Sequence, residues 1–145
     1  MQEPNTGANG YASQYPEVLV VSGDLSLSQF LTEGLMESGF WMSAVRSGLQ
    51  ALEVFRLRGF DALIIDAAIS DLPLDELVRR LRSDPEDSPQ ISRLSAATPI
   101  VVVAGIPQEL EPFDIIALDL QSVLVAPFEL DDLAKVLRAI GKTSA

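Results

Sequence analysis

VLVVSGDLSLSQFL, Val18 to Leu31, runs four apolar residues into a Ser-Gly-Asp turn and then into a helical pattern. A continuous apolar run of this kind marks a strand buried on both faces, as in the centre of a parallel sheet. The turn then falls at the C-terminal end of that strand, where open α/β sheets place their chemistry. Asp24 is positioned to cap the following helix, in which Leu27, Phe30, Leu31, Leu35 and Met36 share a stripe and which Gly39 ends.

The same alternation continues outward. Phe40 to Val45 reads as a second, weaker strand, and Ser47 caps a helix carrying Leu49, Leu52, Val54, Phe55 and Leu57, with Gly59 at its end. DALIID, residues 61–66, is a third strand that terminates on a carboxylate. Pro73 suits the first turn of a helix reaching Arg82, with Leu74, Leu77, Val78 and Leu81 facing inward. Ser83 to Ala97 is too polar for a core element and reads as a long loop. TPIVVVAG holds a fourth strand, Pro107 opens a helix through Leu118, and QSVLVAP holds a fifth strand. ELDDLAKVLRAI closes the chain as a helix with Leu130, Leu133, Val136, Leu137 and Ile140 inward. Strands alternating with amphipathic helices predict an α/β fold with a parallel sheet. Residues 1–16 lack apolar content and read as a disordered tail, 17–141 as one domain, and 142–145 as a short C-terminal tail.

Composition narrows the function. The 145 residues suffice for one domain with a real core. No apolar run approaches the roughly 18 residues of a membrane span. The first 17 residues have neither a basic start nor an apolar block, so a cytoplasmic location is expected. Without a single cysteine or histidine, the chain has no thiolate zinc site, no cysteine nucleophile and no imidazole base. A formal charge of −11 argues against nucleic acid, because phosphate contacts need clustered Lys and Arg. Arg79, Arg80 and Arg82 share one short helix with Asp75 and Glu76 and read as locally paired.

Four segments in order, VLVV before the turn, DALIID, TPIVVVAG and VAPFELDDLAKVL, resemble a response-regulator receiver domain of two-component signalling over roughly Glu17 to Gly141. The 22 positions from Ala104 to Ala126 also resemble the family's spacing. The resemblance implies a flavodoxin-like, doubly wound, five-stranded parallel sheet in the order 2-1-3-4-5, with helices on both faces. It also implies a chemistry, transfer of a phosphoryl group from a phosphohistidine to an aspartate. That transfer needs a metal held by carboxylates, a cation and a hydroxyl around the transferring oxygens.

Carried over position by position, the resemblance places the phosphoacceptor at Asp66. The family's acidic pair falls on Ser22 and Gly23, with Asp24 one position further on. Its hydroxyl position falls on Ala104, its lysine on Ala126 just before Pro127, and its switch aromatic on Val123. Only the acceptor is kept. The resemblance therefore implies a degenerate receiver, not an enzyme and with no catalytic residue, that acts by binding protein largely independently of phosphorylation. The expected cofactor is none, with Mg²⁺ held at most weakly through Asp24 and Asp66. Each residue also has a plainer reading: Asp24 as a helix cap, Asp66 as a polar strand end, Ser22 and Gly23 as turn formers.

Receivers commonly engage partners through the fourth helix, fifth strand and fifth helix, which makes Ile106, Leu110, Phe113 and Ile116 the interface candidates. The implied partners are a histidine kinase or another signalling protein, with a homodimer as the further case; neither nucleic acid nor membrane is expected. The chain closes four residues after Gly141, so no output domain is expected either. Asp66 and Ala104 are 38 positions apart, longer than usual for the family, with the surplus in the 83–97 loop as a second interface candidate. Two other readings stay open: a weakly phosphorylatable receiver, and a flavodoxin-like domain that binds a small ligand. The second needs phosphate-binding glycines after the first strand and stacking aromatics; Trp41 lies on the second strand, away from that edge.

Overall fold

The structure is a computed structural model, and it describes residues 15–83 and 98–144, excluding the side chains of 141–144. The elements, in chain order, are β1 (Glu17–Val21), α1 (Leu25–Glu37), β2 (Trp41–Val45), α2 (Gly48–Leu57), β3 (Ala62–Asp66), α3 (Leu74–Arg82), β4 (Ile100–Ala104), β5 (Ser122–Val125) and α4 (Leu130–Ser144). Two short 3-10 turns, Pro107–Leu110 and Ile116–Leu118, lie between β4 and β5. All strand pairs are parallel, and the sheet order is β2-β1-β3-β4-β5, as expected for a doubly wound fold.

Every residue of β3 and β4 is buried, which explains why their sequences are continuous apolar runs. Alternate side chains serve opposite faces. Leu19, Val21, Leu63, Ile65, Ile100 and Val102 pack under α2 and α3 on one face. Val18, Val20, Ile64, Val101 and Val103 pack under α1 and α4 on the other. Leu31 and Leu35 of α1, and Leu133, Leu137 and Ile140 of α4, supply the covering apolar stripes there.

Local signals account for most boundaries. Asp24 Oδ1 accepts the N–H of Leu27 at 3.2 Å, so it caps α1, and Gly39 leaves the helix with φ +100, a backbone state that glycine adopts without penalty. Ser47 Oγ accepts the N–H of Gln50 at 3.1 Å, while the Gln50 side chain takes the N–H of Arg46 at 2.7 Å. At α2 the chain turns out at Arg58 in an extended conformation, without using Gly59. Arg80 pairs with Glu76 one turn earlier on α3.

Three expectations change. The helix expected from Pro107 to Leu118 is replaced by the two 3-10 turns, because Pro112 has no N–H to give the carbonyl one turn before it and its ring crowds that turn. The last helix passes through Gly141 to Ser144 rather than stopping, since an interior glycine costs only about 1 kcal/mol relative to alanine. The ordered chain also starts before Glu17. Tyr15 packs edge-on against Trp41, and Pro16 accepts the N–H of Trp41 at 2.9 Å. Residues 1–14 of the expected tail, and 84–97 of the expected loop, lie outside the described residues.

Candidate functional site

Parallel register brings the C-terminal ends of β1, β3, β4 and β5 to one edge. Val21 is paired with Ile65, Asp66 with Val103, and Ala104 with Val125, so the next residue of each strand falls beside its neighbour. Backbone bonds past the strand ends hold that edge: Ala67 N–H to Val103 O and Ala126 N–H to Ala104 O, both 2.8 Å. Ser22, Asp66, Ala104 and Ala126 are thus gathered at one place. Ala126 is exposed and joins Pro127 through a cis peptide bond, and Ala104 is buried.

Asp66 is 7% exposed, and both of its carboxylate oxygens are engaged. Ser22 Oγ donates to Oδ2 at 2.8 Å, and the backbone N–H of Ala68 donates to Oδ1 at 2.9 Å. Ser22 Oγ in turn accepts the N–H of Asp24 at 3.0 Å, which fixes the hydroxyl over Asp66. Gly23 lies against the Arg46 carbonyl, where an added Cβ would sit at 3.5 Å. Both donors to the carboxylate are neutral, and Ala126 at the same edge carries only a methyl group.

As arranged, Asp24 and Asp66 are each already hydrogen-bonded, which leaves a divalent cation only their remaining lone pairs. Asp24 turns its carboxylate to the helix N–H of Leu27, and each oxygen of Asp66 already accepts a proton donor. Among the described residues, no three acidic side chains gather. Mg²⁺ is commonly held by one or two carboxylates and completes its octahedral shell with water.

None of the hydrogen bonds at Asp66 and Ser22 goes to the remaining sequence candidates. Val123 is half-buried in β5 and packs on the core under α2 and α3, as do Leu110 and Phe113. Ile106 is 52% exposed just past β4, and Ile116 is 91% exposed on the second 3-10 turn.

Asp71 is a residue that sequence reasoning passed over. From the β3–α3 loop, its Oδ1 and Oδ2 accept the N–H groups of Gly48 and Leu49, each at 2.9 Å, at the start of α2. Burial alone would raise its pKa, but the N–H donors of Gly48, Leu49, Asp71 and Leu72 prevail and hold it below 3.8. The signal available in the sequence was slight: α2 opens on a glycine and has no acidic residue in its first turn.

A carboxylate with a lowered folded-state pKa stabilises the protein above its unfolded pKa, and that contribution is lost as pH falls through the folded value. Asp71→Ala is therefore expected to cost about 1 kcal/mol at neutral pH, as for loss of a helix cap. The gap between wild type and variant should close below about pH 4. Urea titrations of both proteins at pH 7 and pH 3 measure it; a gap independent of pH would show that the carboxylate charge plays no part.

No family model matches the chain. Response regulator MprA from Mycobacterium ulcerans is 27% identical over 123 residues, covering 85% of this chain and 49% of that protein. A response-regulator receiver domain from Methylobacillus flagellatus superposes with a TM-score of 0.71 at 25% identity, covering 87% of this chain and 98% of the other. The receiver domain of a sensor histidine kinase from Pseudomonas aeruginosa, which has a magnesium ion in its active-site cleft, superposes at 0.74 with 17% identity over 88% of this chain and 98% of the other. Fold and likenesses together give the chain the fold of response-regulator receiver domains. The chain spans about half the length of the curated relatives it matches. No helix among the described residues is long and apolar enough to cross a membrane.

Proposed function

We propose that this chain is a degenerate receiver that acts by binding another protein, without needing a phosphoryl group on Asp66. The observation that carries the reading is the hydrogen-bonding of Asp66: its two oxygens are engaged by Ser22 Oγ and the Ala68 N–H, beside alanines at positions 104 and 126. Phosphoryl transfer is catalysed almost wholly by positioning and by charge aimed at the transferring oxygens. Here an approaching phosphodonor dianion meets a carboxylate with no fixed cation to offset the developing charge. A hydrogen-bonded, 7% exposed carboxylate is also poorly placed to attack phosphorus. The partner class that goes with this reading is a histidine kinase or another signalling protein.

Intact-mass spectrometry after incubation with a small-molecule phosphodonor and Mg²⁺ tests it, with Asp66→Ala as the control. Wild type is expected to gain no adduct. A labile phosphoryl adduct on wild type that is absent from Asp66→Ala would instead make Asp66 a working, if slow, acceptor.

A further inference from the structure

We propose that the outer edge of β2 pairs antiparallel with the same edge of a second copy of this chain, joining the two sheets across a two-fold axis. The proposal goes beyond the reading above and does not depend on the state of Asp66.

β2 stands at the end of the sheet, and among the described residues no strand pairs on its outer side. The N–H of Trp41 goes to Pro16 O and the carbonyl of Val45 accepts from Ser22 N–H, both on the β1 side. Backbone groups alternate sides along a strand, so Met42 and Ala44 turn their N–H and C=O groups outward. An open row of this kind templates pairing with another chain unless charge, proline or a bulge blunts it. β2, WMSAV, has no charged residue and no proline, and it pairs with β1 one residue to one, without a bulge. In an antiparallel register centred on Ser43, Met42 faces Ala44 of the second copy and Ala44 faces Met42 of the second copy, each pair exchanging both of its hydrogen bonds. Trp41, 57% exposed, then falls opposite Val45 of the second copy as an aromatic and β-branched cross-strand pair. The edge is thus complementary to itself, as a two-fold interface requires.

The helices fit the same axis. α1 lies over β1 and β2, so a two-fold axis perpendicular to the sheet sets it beside α1 of the second copy. α4 occupies one flank of α1: a Cβ at Gly34 would meet Leu130, and Ser38 O accepts from Arg138. By helical geometry, the flank on the other side of the buried Leu31 and Leu35 carries Leu25, Thr32 and Met36. Leu25 is 56% and Met36 54% exposed, apolar area that the fold leaves uncovered beside an open strand.

Charge favours a second copy as the occupant. Two chains that each have a net charge of −11 meet most readily where carboxylates are turned away. From Ser38 to Leu52 there is no Asp or Glu, and Arg46 is the one charged residue, so the edge has little to steer in a partner of opposite charge. By the same geometry, Glu33 and Glu37 lie on the outer and α4 sides of α1, and Glu53 lies opposite the buried Ala51 and Phe55 of α2. Asp24 is held in the α1 cap, and Glu17 pairs with Arg58. One strand pair and one helix seam make a small interface, so the dimer belongs to the weak, concentration-dependent class.

Sedimentation equilibrium of the full chain from micromolar to millimolar concentration tests this, with amide exchange followed by NMR at both ends of that range. The expected result is a monomer–dimer equilibrium in which the amides of Met42 and Ala44 exchange more slowly in the concentrated sample. Ala44→Pro removes an outward N–H without touching the bonds to β1, and Met36→Glu adds a carboxylate to the helix seam. Each should weaken the dimer at least tenfold, with melting curves to show that the variants fold. Met36 is on the helix surface, so Met36→Glu decides the matter should Ala44→Pro fail to fold. Ile116→Ser, beyond β4 toward the opposite edge of the sheet, should change the affinity less than twofold. A monomer throughout the range, a dimer left intact by Met36→Glu and by folded Ala44→Pro, a dimer lost in Ile116→Ser alone, or amides of Met42 and Ala44 protected equally at both concentrations would each overturn the proposal.

Discussion

The triple variant Ser22→Asp, Ala104→Thr, Ala126→Lys is expected to accept a phosphoryl group on Asp66 at least 10² to 10³ times faster than wild type. Removing one preorganised electrostatic stabiliser from an active site typically costs about 3–4 kcal/mol of transition-state energy, or 10² to 10³ in rate. Ala126 is exposed at the strand edge beside Ala104, so a lysine there has room to reach over Asp66. Ser22 is 1% exposed and donates directly to Asp66, so an aspartate in its place sets two carboxylates together at a buried point. That pair repels unless a cation bridges it. The variant should therefore melt below wild type without Mg²⁺ and recover when Mg²⁺ is added, whereas wild-type melting should not respond to the ion. Intact-mass time courses and melting curves with and without Mg²⁺ read both effects. Labelling of wild type as fast as the variant would end the case that the lost side chains silence Asp66.

The second large effect concerns the sheet itself. Leu63 is fully buried in β3, paired with Leu19 on one side and Ile100 on the other, at the middle of the five-stranded order. Leu63→Ala should cost about 2–5 kcal/mol through lost burial and the cavity left behind. Against the 5–15 kcal/mol that typically holds a domain together, this is a substantial share. Leu57→Ala is the comparison, since Leu57 is 80% exposed and its truncation should change stability by less than about 0.5 kcal/mol. Urea unfolding followed by far-ultraviolet circular dichroism measures both. A loss below about 1 kcal/mol for Leu63→Ala would mean that the neighbouring side chains collapse into the gap.

The sequence made the strands and most helices legible because they depend on local patterns. Runs such as IVVV and LIID fit only a doubly covered strand, and Asp24 and Ser47 act within three residues of themselves. The 107–118 segment misled because its apolar residues suggested a helix stripe, while the decisive residue was Pro112, which breaks the backbone ladder whatever surrounds it. Asp66 at a strand end was legible from its place in DALIID. Its partners were not, because the bond from Ser22 spans 44 positions and depends on register and rotamer. Asp71 escaped for the same reason: its two acceptors serve a helix 22 and 23 positions earlier.

Trp41 is the chain's only tryptophan, 57% exposed at the start of edge strand β2 and edge-on to Tyr15. It stands at the end of the sheet opposite Asp66, so its emission is an optical gauge of where residues 15 and 16 meet the sheet. Light from this indole should stay nearly constant through any event at Asp66, and because it is already wet it should redden little on unfolding. A fluorescence assay of ligand binding to this protein would therefore need a second, introduced tryptophan on the β5 side to see anything at all.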